Sequence, residues 1–356
     1  MLSTSRSQDA ALVTAQSRPL VVQYLYVHAP NERFEYPSSR SQSGSEQLAT
    51  RYLECVLVQA ASLRLRDVEC DLALVTNVTD RRSLGARGER LLEQVESLGV
   101  EMLFADYLHR PSVGMTTFAA SRYVFDAIMA ASAGTSPERR LWLVDVDCVW
   151  LDPSKALAAA PERPGIGCIN LIYPPDWDLY GFTPRTMSEL ASSMGAPDRP
   201  LRWVGGELLA GAAGDLCRVV ATCEALEREL EARGRVLSTE EQLLTLAGAL
   251  GRVPFHDLSD VAQRIWTGPR HGAPPVHEPA SLGLWHLPSE KGLGFRRAAR
   301  TISSGHPERL MRDLAVPARA LKRFNVGGTG WPRRIRDDSW LAMQRLRDGL
   351  GSYVRR

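Results

Sequence analysis

Apolar residues in this chain gather into short runs, and amphipathic stretches separate them. Residues 20–28 form a near-continuous apolar run, as a strand buried on both faces of a parallel sheet requires. Residues 71–77, 100–104 and 141–145 repeat the pattern, and 165–172 is predicted as a fifth strand. Between them, residues 46–66 place Leu48, Tyr52, Cys55, Val56 and Leu63 at helical spacing. Residues 87–98 are predicted as an amphipathic helix stopped by Gly99, and 116–131 as a helix with a wide apolar face. Strands and helices alternating at this spacing predict an α/β fold with a mostly parallel central sheet flanked by helices.

The second half is less regular. Residues 173–183 are aromatic and proline-rich, and with a short helix over 188–194 they are expected to floor an acceptor pocket. Residues 203–211 read as a strand carrying the pair Gly205-Gly206, which removes Cβ atoms where something must approach the backbone. Glu207 beside them needs a partner or a task, the alternatives being a hydroxyl-rich ligand or a salt bridge with Arg202. Residues 215–233 predict a long helix. Ser238 and Glu241 have capping-box spacing at the start of another, from which Glu241 and Gln242 could project toward a pocket. Residues 252–256 predict a strand, and 268–280 a loop that could cover a site. His286 ends a short apolar strand, and Lys291 follows five residues later.

Charge changes the picture only at the C-terminal end. The 356 residues carry a formal net charge of +2, which gives no sign of a nucleic-acid partner. From Lys291 onward, however, 16 Lys and Arg face 5 Asp and Glu, a local +11 that leaves −9 on the remainder. Such a basic segment suggests an anionic or peripheral membrane contact through 293–356. Six cysteines show no CxxC and no zinc spacing, and several lie in apolar runs, as in a reducing compartment. No apolar run is long enough to cross a bilayer, and the first 18 residues lack the apolar core of a signal peptide. The expected organisation is a disordered N-terminus over 1–18, a catalytic domain over 19–292 and a helical basic extension over 293–356, in a cytoplasmic protein.

The chemistry centres on Arg140-Leu-Trp-Leu-Val-Asp-Val-Asp-Cys-Val-Trp-Leu-Asp-Pro153. Asp145 and Asp147, one residue apart at the end of an apolar strand, would point the same way and repel each other. A divalent cation removes that cost, since hard cations take oxygen ligands. His286 could complete the set and Lys291 could neutralise a phosphate on the metal. Ligands of open α/β sheets bind beyond the carboxyl ends of strands, which makes His28 to Asn31 a candidate pocket edge and Asn77 a candidate contact. Arg122 could reach a phosphate or a base, or could form a surface salt bridge.

The order of these features resembles the GT-A class of nucleotide-sugar glycosyltransferases, and its later parts are most similar to the glycogenin-like retaining branch. That resemblance implies Mn²⁺ or Mg²⁺ on Asp145, Asp147 and His286, with Lys291 on the diphosphate of the donor, a UDP-sugar. It places Glu241-Gln242 where that branch has an Asp-Gln pair near the donor sugar. The branch has a Gly between its His and Lys and a Pro-Trp after the Lys; here the spacing is one shorter and Gly-Leu follows. Trp203-Val-Gly-Gly-Glu207 instead is similar to a stretch of inverting galactosyltransferases and of retaining mucin-type transferases. The implied activity is transfer of a hexosyl unit to the hydroxyl of a saccharide, small-molecule or lipid-linked acceptor. If the reaction inverts, Glu207 is the general base; if it retains, the leaving diphosphate takes the proton, and Glu207 or Glu241 orients the sugar. Residues 143–152 also look like the first motif of haloacid-dehalogenase-type phosphatases, with Asp257 and Asp260 as further acids. A catalytically silent nucleotide-sugar-binding protein is the third alternative.

Overall fold

The structure is a computed structural model that describes residues 18–28, 45–66, 68–111, 119–161, 164–267 and 277–326. The readings made for residues 1–17, 29–44, 268–276 and 327–356 lie outside them, as does the start of the helix expected from residue 116; the basic segment is described as far as residue 326. Among the described residues no helix is long and apolar enough to cross a membrane.

A seven-stranded sheet runs through the molecule. Its strands are β1 (Leu20–Leu25), β2 (Asp71–Thr76), β3 (Val100–Phe104), β4 (Arg140–Val144), β6 (Ile166–Leu171), β7 (Trp203–Ala212) and β8 (Phe255–Asp257), in the spatial order β3-β2-β1-β4-β7-β6-β8. β7 pairs antiparallel with β4 and β6, while every other pairing in this sheet is parallel. The expected mostly parallel α/β architecture is therefore present. The apolar runs became strands because both faces are covered. Helices α1 (Ser45–Arg64) and α2 (Gly85–Ser97) pack with one core, and α3 (Tyr123–Ser132), α6 (Ala213–Glu231) and α7 (Glu240–Ala249) with the other. Short helices α4 (Pro153–Ala158) and α5 (Pro184–Ser193) lie in the connections either side of β6.

A second, three-stranded sheet was foreseen only in its strand ending at His286. β5 (Cys148–Trp150) pairs antiparallel with β10 (Leu284–His286), which pairs in parallel with β9 (Ala262–Arg264). Three-residue strands supply few ladder hydrogen bonds, so packing must hold this sheet in place. Trp150 and Trp285 are fully buried in it. Aromatic side chains of this kind bury about 200 Å² each, worth roughly 5 kcal/mol at about 25 cal/mol per Å². Helices α8 (Gly294–Ser303), α9 (Pro307–Leu314) and α10 (Pro317–Arg323) follow, and their Phe295, Leu310, Leu314 and Phe324 are buried in the same core as α1 and the second sheet.

One charged cluster ties the loop after β3 to two helices. His109 Nδ1 lies 2.7 Å from Asp126 Oδ1 on α3, and its Nε2 lies 3.0 Å from Glu224 Oε1 on α6. The hydrogen bond with Asp126, opposed by partial burial and helped by Glu224, raises the His109 pKa. A raised folded-state pKa stabilises the protein below the unfolded value near 6.5, and this is lost as pH rises through the folded value. His109→Gln should therefore lower unfolding stability more at pH 5.5 than at pH 9 in urea titrations. A difference that is flat across that range would contradict the assignment.

Candidate active site

β4 stops at Val144, and Asp145-Val-Asp147 forms a tight turn rather than the extended end of a strand. The Cys148 amide donates to the Asp145 carbonyl at 3.2 Å, and the Val146 amide donates to the Asp145 carboxylate at 2.8 Å. The two acids thus converge through a turn, not through strand alternation. The Asp145 amide donates to the Glu207 carbonyl and the Leu287 amide to the Asp147 carbonyl, both at 2.9 Å. These bonds fasten the turn between the two sheets.

The second sheet then delivers the remaining groups. In register, His286 lies opposite Cys148 on one side and beside Arg264 on the other. His286 Nε2 stands 3.6 Å from Asp145 Oδ2 and 3.3 Å from Asp147 Oδ2. One ligand atom from each of Asp145, Asp147 and His286 lies within 4.8 Å of the others. Lys291 Nζ reaches to 2.7 Å from Asp147 Oδ2 and lies 5.4 Å from the centre of the Tyr52 ring. Four residues read from the sequence as metal or phosphate ligands thus meet at one place.

Whether a cation fits can be judged from what these atoms lack. Asp147 is fully buried, yet neither carboxylate oxygen has a hydrogen bond among the described residues, and neither ring nitrogen of buried His286 has one. Lys291, with Nζ 2.7 Å from Oδ2, is the ion-pair partner of Asp147. Burial works to raise the Asp147 carboxyl, but Lys291 and His286 outweigh it and hold it far below the usual carboxylate range. Burial likewise opposes protonation of His286, yet Asp147 and the carboxylates around it push its pKa well up. The anions that hold a proton on that imidazole are equally suited to hold a metal. Two carboxylates and one imidazole form a donor set that suits a hard to borderline divalent ion.

β7 brings the next layer. Its pairing with β6 slips between Cys168 and Ile169, from Leu209 to Gly205, so that residues 206–208 bulge from that ladder. Bulges re-aim side chains beside functional sites, and this one turns Glu207 toward His286 and Arg264. Glu207 Oε1 accepts from Arg264 Nε at 2.9 Å, and Oε2 accepts from Nη2 at 2.6 Å. Arg264 Nη2 also pairs with Glu241, and Nη1 donates to the Tyr173 hydroxyl at 3.0 Å. Burial alone would raise the Glu207 carboxyl, but Arg264 and His286 reverse it and leave it at about 2. Of the two alternatives for Glu207, a ligand or a salt bridge with Arg202, the structure shows a salt bridge, but with Arg264. The glycine pair does admit a close approach, from the protein's own acids. A Cβ on Gly205 would fall within the Glu207 carboxylate, and one on Gly206 within that of Glu240.

The other predicted residues fare differently. Glu241 faces the site, and its Oε2 accepts from Trp203 Nε1 at 3.2 Å. Gln242 is fully buried, with its side chain engaged in bonds within the protein. The capping box at the start of α7 pairs Thr239 with Gln242, not Ser238 with Glu241. The Gln242 carbonyl accepts from Ser238, and its amide donates to the carbonyls of Leu179 at 2.9 Å and Tyr180 at 3.3 Å. It pins a loop in which Tyr180 has a φ of 59°, a conformation costly for a bulky residue. Arg122 is buried instead of reaching a phosphate, paired with Glu227 and with the Leu237 carbonyl. The Asn77 amide clamps the end of β1, bonding the Val27 amide at 2.8 Å and the Val27 carbonyl at 2.9 Å. His28 is buried edge-on to Tyr26, with ring centres 5.2 Å apart, and Asn31 lies outside the described residues.

Two groups were missed. Arg264 sits in a short polar strand with no motif around it. Glu240, first residue of α7, is buried beside Gly206, and burial with the neighbouring Glu241 pushes its carboxyl up to about 8.

No family model matches this sequence, and no curated protein matches it. Among solved structures, the galactosyltransferase LgtC in complex with donor and acceptor sugar analogues is similar at a TM-score of 0.43 and 11% identity, covering 88% of this chain and 99% of that one. An active-site mutant of LgtC gives a TM-score of 0.46 at 12% identity, over 80% of this chain and 95% of that one. Mouse xyloside xylosyltransferase 1 in its apo form gives 0.46 at 13% identity, over 76% and 96%.

Asp257, one of the acids the phosphatase alternative needs, is not at this site. Asp257 lies on β8, separated from β4 by β7 and β6, which is roughly 14 Å at the usual strand spacing. Its carboxylate accepts from the Ser259 amide at 2.9 Å.

Proposed function

We propose that the protein is a metal-dependent glycosyltransferase that moves a sugar from a nucleotide-diphosphate donor, a UDP-sugar by resemblance, to an acceptor hydroxyl. The observation that carries this reading is the meeting of Asp145, Asp147 and His286 with Lys291 at one buried turn. Asp145, Asp147 and His286 would hold the ion, and the imidazole in the set favours Mn²⁺ over Mg²⁺, which takes oxygen ligands. When bound, such an ion supplies positive charge to offset what a leaving diphosphate gains. Lys291, whose pKa burial would lower but Asp147 and Asp145 raise, stays charged and can pass from Asp147 to a phosphate oxygen.

The acceptor proton is the harder question. A carboxylate at about 2, gripped on both oxygens by Arg264, is a weak base. This speaks against Glu207 as the base and supports the retaining route, in which the leaving diphosphate takes the proton. Glu241 then serves to hold Arg264. Glu240, protonated near neutral pH, can both donate to and accept from sugar hydroxyls. For the acceptor we favour the face made by residues 172–185. Ile172, Trp177 and Tyr180 are exposed there, beside a 630 Å³ cavity lined by Tyr173, Pro175, Arg185 and Leu201.

A thermal-shift panel of nucleoside diphosphates and nucleotide sugars, with and without Mn²⁺, tests the donor side. At hundredfold excess over Kd, binding adds about 2.7 kcal/mol, a rise of roughly 4 °C for a protein of this size. The rise produced by the nucleotide should require Mn²⁺. No shift with any combination would overturn the reading.

A further inference from the structure

Arg264, Glu207 and His286 are brought together from three separate strands, β9, β7 and β10. Glu207 Oε1 is shared: Arg264 Nε donates to it at 2.9 Å, and His286 Nδ1 stands 3.4 Å from it. The second oxygen is taken by Arg264 Nη2 at 2.6 Å, so the carboxylate plane cannot rotate. Arg264 is itself fixed on its other side by Glu241 and by the Tyr173 hydroxyl. The chain Arg264–Glu207–His286 ends with Nε2 of the imidazole turned toward Asp145 and Asp147.

We infer that Glu207, clamped by Arg264, is a positioning residue that orients His286 for the cation and selects its tautomer. The inference rests on the metal reading above. A histidine that ligates through one nitrogen donates its other N–H to a fixed acceptor, which sets the ring's angle and raises its basicity. Among the described residues, the acceptor in place at Nδ1 is Glu207. The 3.4 Å separation is a charge contact; a small turn of the ring closes it to a hydrogen bond as Nε2 takes the ion. Arginine is required at the far end because its planar fork grips both carboxylate oxygens, whereas a lysine ammonium is a single point charge.

The test is a Mn²⁺ titration of the full chain without nucleotide, followed by electron paramagnetic resonance, with nitrogen modulation of the bound-ion signal as a second readout. Glu207→Gln should bind Mn²⁺ about 10- to 100-fold more weakly and lose or alter the imidazole modulation. Arg264→Lys, which keeps the positive charge between Glu207 and Glu241 and so favours a folded protein, should weaken binding in the same direction. A folded Glu207→Gln variant with unchanged affinity and unchanged modulation overturns the positioning role and leaves the metal assignment standing. Wild-type protein that binds no Mn²⁺ overturns both.

Discussion

Asp147→Asn is expected to lower sugar transfer at least a thousandfold while the protein stays folded. Asp147 is fully buried, and both its carboxylate oxygens lack a hydrogen bond. Asparagine has nearly the same shape, so packing against the turn is kept and the change is one of charge. The ion loses its fully buried anionic ligand, leaving half-exposed Asp145 and the neutral imidazole of His286 to hold it. Charge stabilisation by a bound ion is worth several kcal/mol in a transition state, and about 4 kcal/mol corresponds to roughly a thousandfold in rate. Lys291 keeps Asp145 as a nearby anion, which limits the penalty for its burial. Near-ultraviolet circular dichroism should be unchanged, and transfer assayed with a nucleotide-sugar donor should fall to the level seen in EDTA, from which Mn²⁺ restores the wild type but not the variant. Activity within tenfold of wild type would defeat the metal assignment.

The residues that could be read from the sequence are those whose roles follow from neighbours a few positions away. Asp145 and Asp147 follow an apolar strand directly, and His286 and Lys291 flank one short turn. The runs that became β1, β2 and β4 are visible because both faces of the sheet are covered, which removes the polar half of the alternation. Arg264 has no such signature. Its strand is three residues long, and its position depends on β10 lying between β9 and β5, a pairing that spans more than a hundred residues of chain. At α7, Ser238-Thr-Glu-Glu-Gln242 offers two overlapping capping boxes, and local spacing cannot choose between them. The chain uses Thr239 and Gln242, because the Gln242 side chain also bonds Leu179 and Tyr180. Arg122 was misplaced for a related reason: whether a helical arginine is exposed depends on the helix that packs over it, here α6 with Glu227.

Arg264→Met should cost the fold more than any single exposed ion pair could. The guanidinium is the shared cation of two buried carboxylates, with side-chain exposures of 1% for Glu207 and 11% for Glu241. Replacing it with an apolar side chain of similar length keeps most of the volume and removes the charge. Leaving buried anions without their partner destabilises by about 3–5 kcal/mol, against at most about 1 kcal/mol for an exposed pair. Equilibrium urea unfolding at pH 7 should show this as a lower midpoint with little change in slope, since the folded surface is nearly the same. The asymmetry of buried charge gives an internal check. Adding Glu207→Gln to Arg264→Met removes one orphaned anion, so the double variant should recover about 1–2 kcal/mol relative to the single one. A single variant that loses less than about 1 kcal/mol would mean that Glu207 and Glu241 find other compensation, and Arg264 would then be neither the keystone of this cluster nor the anchor of the histidine.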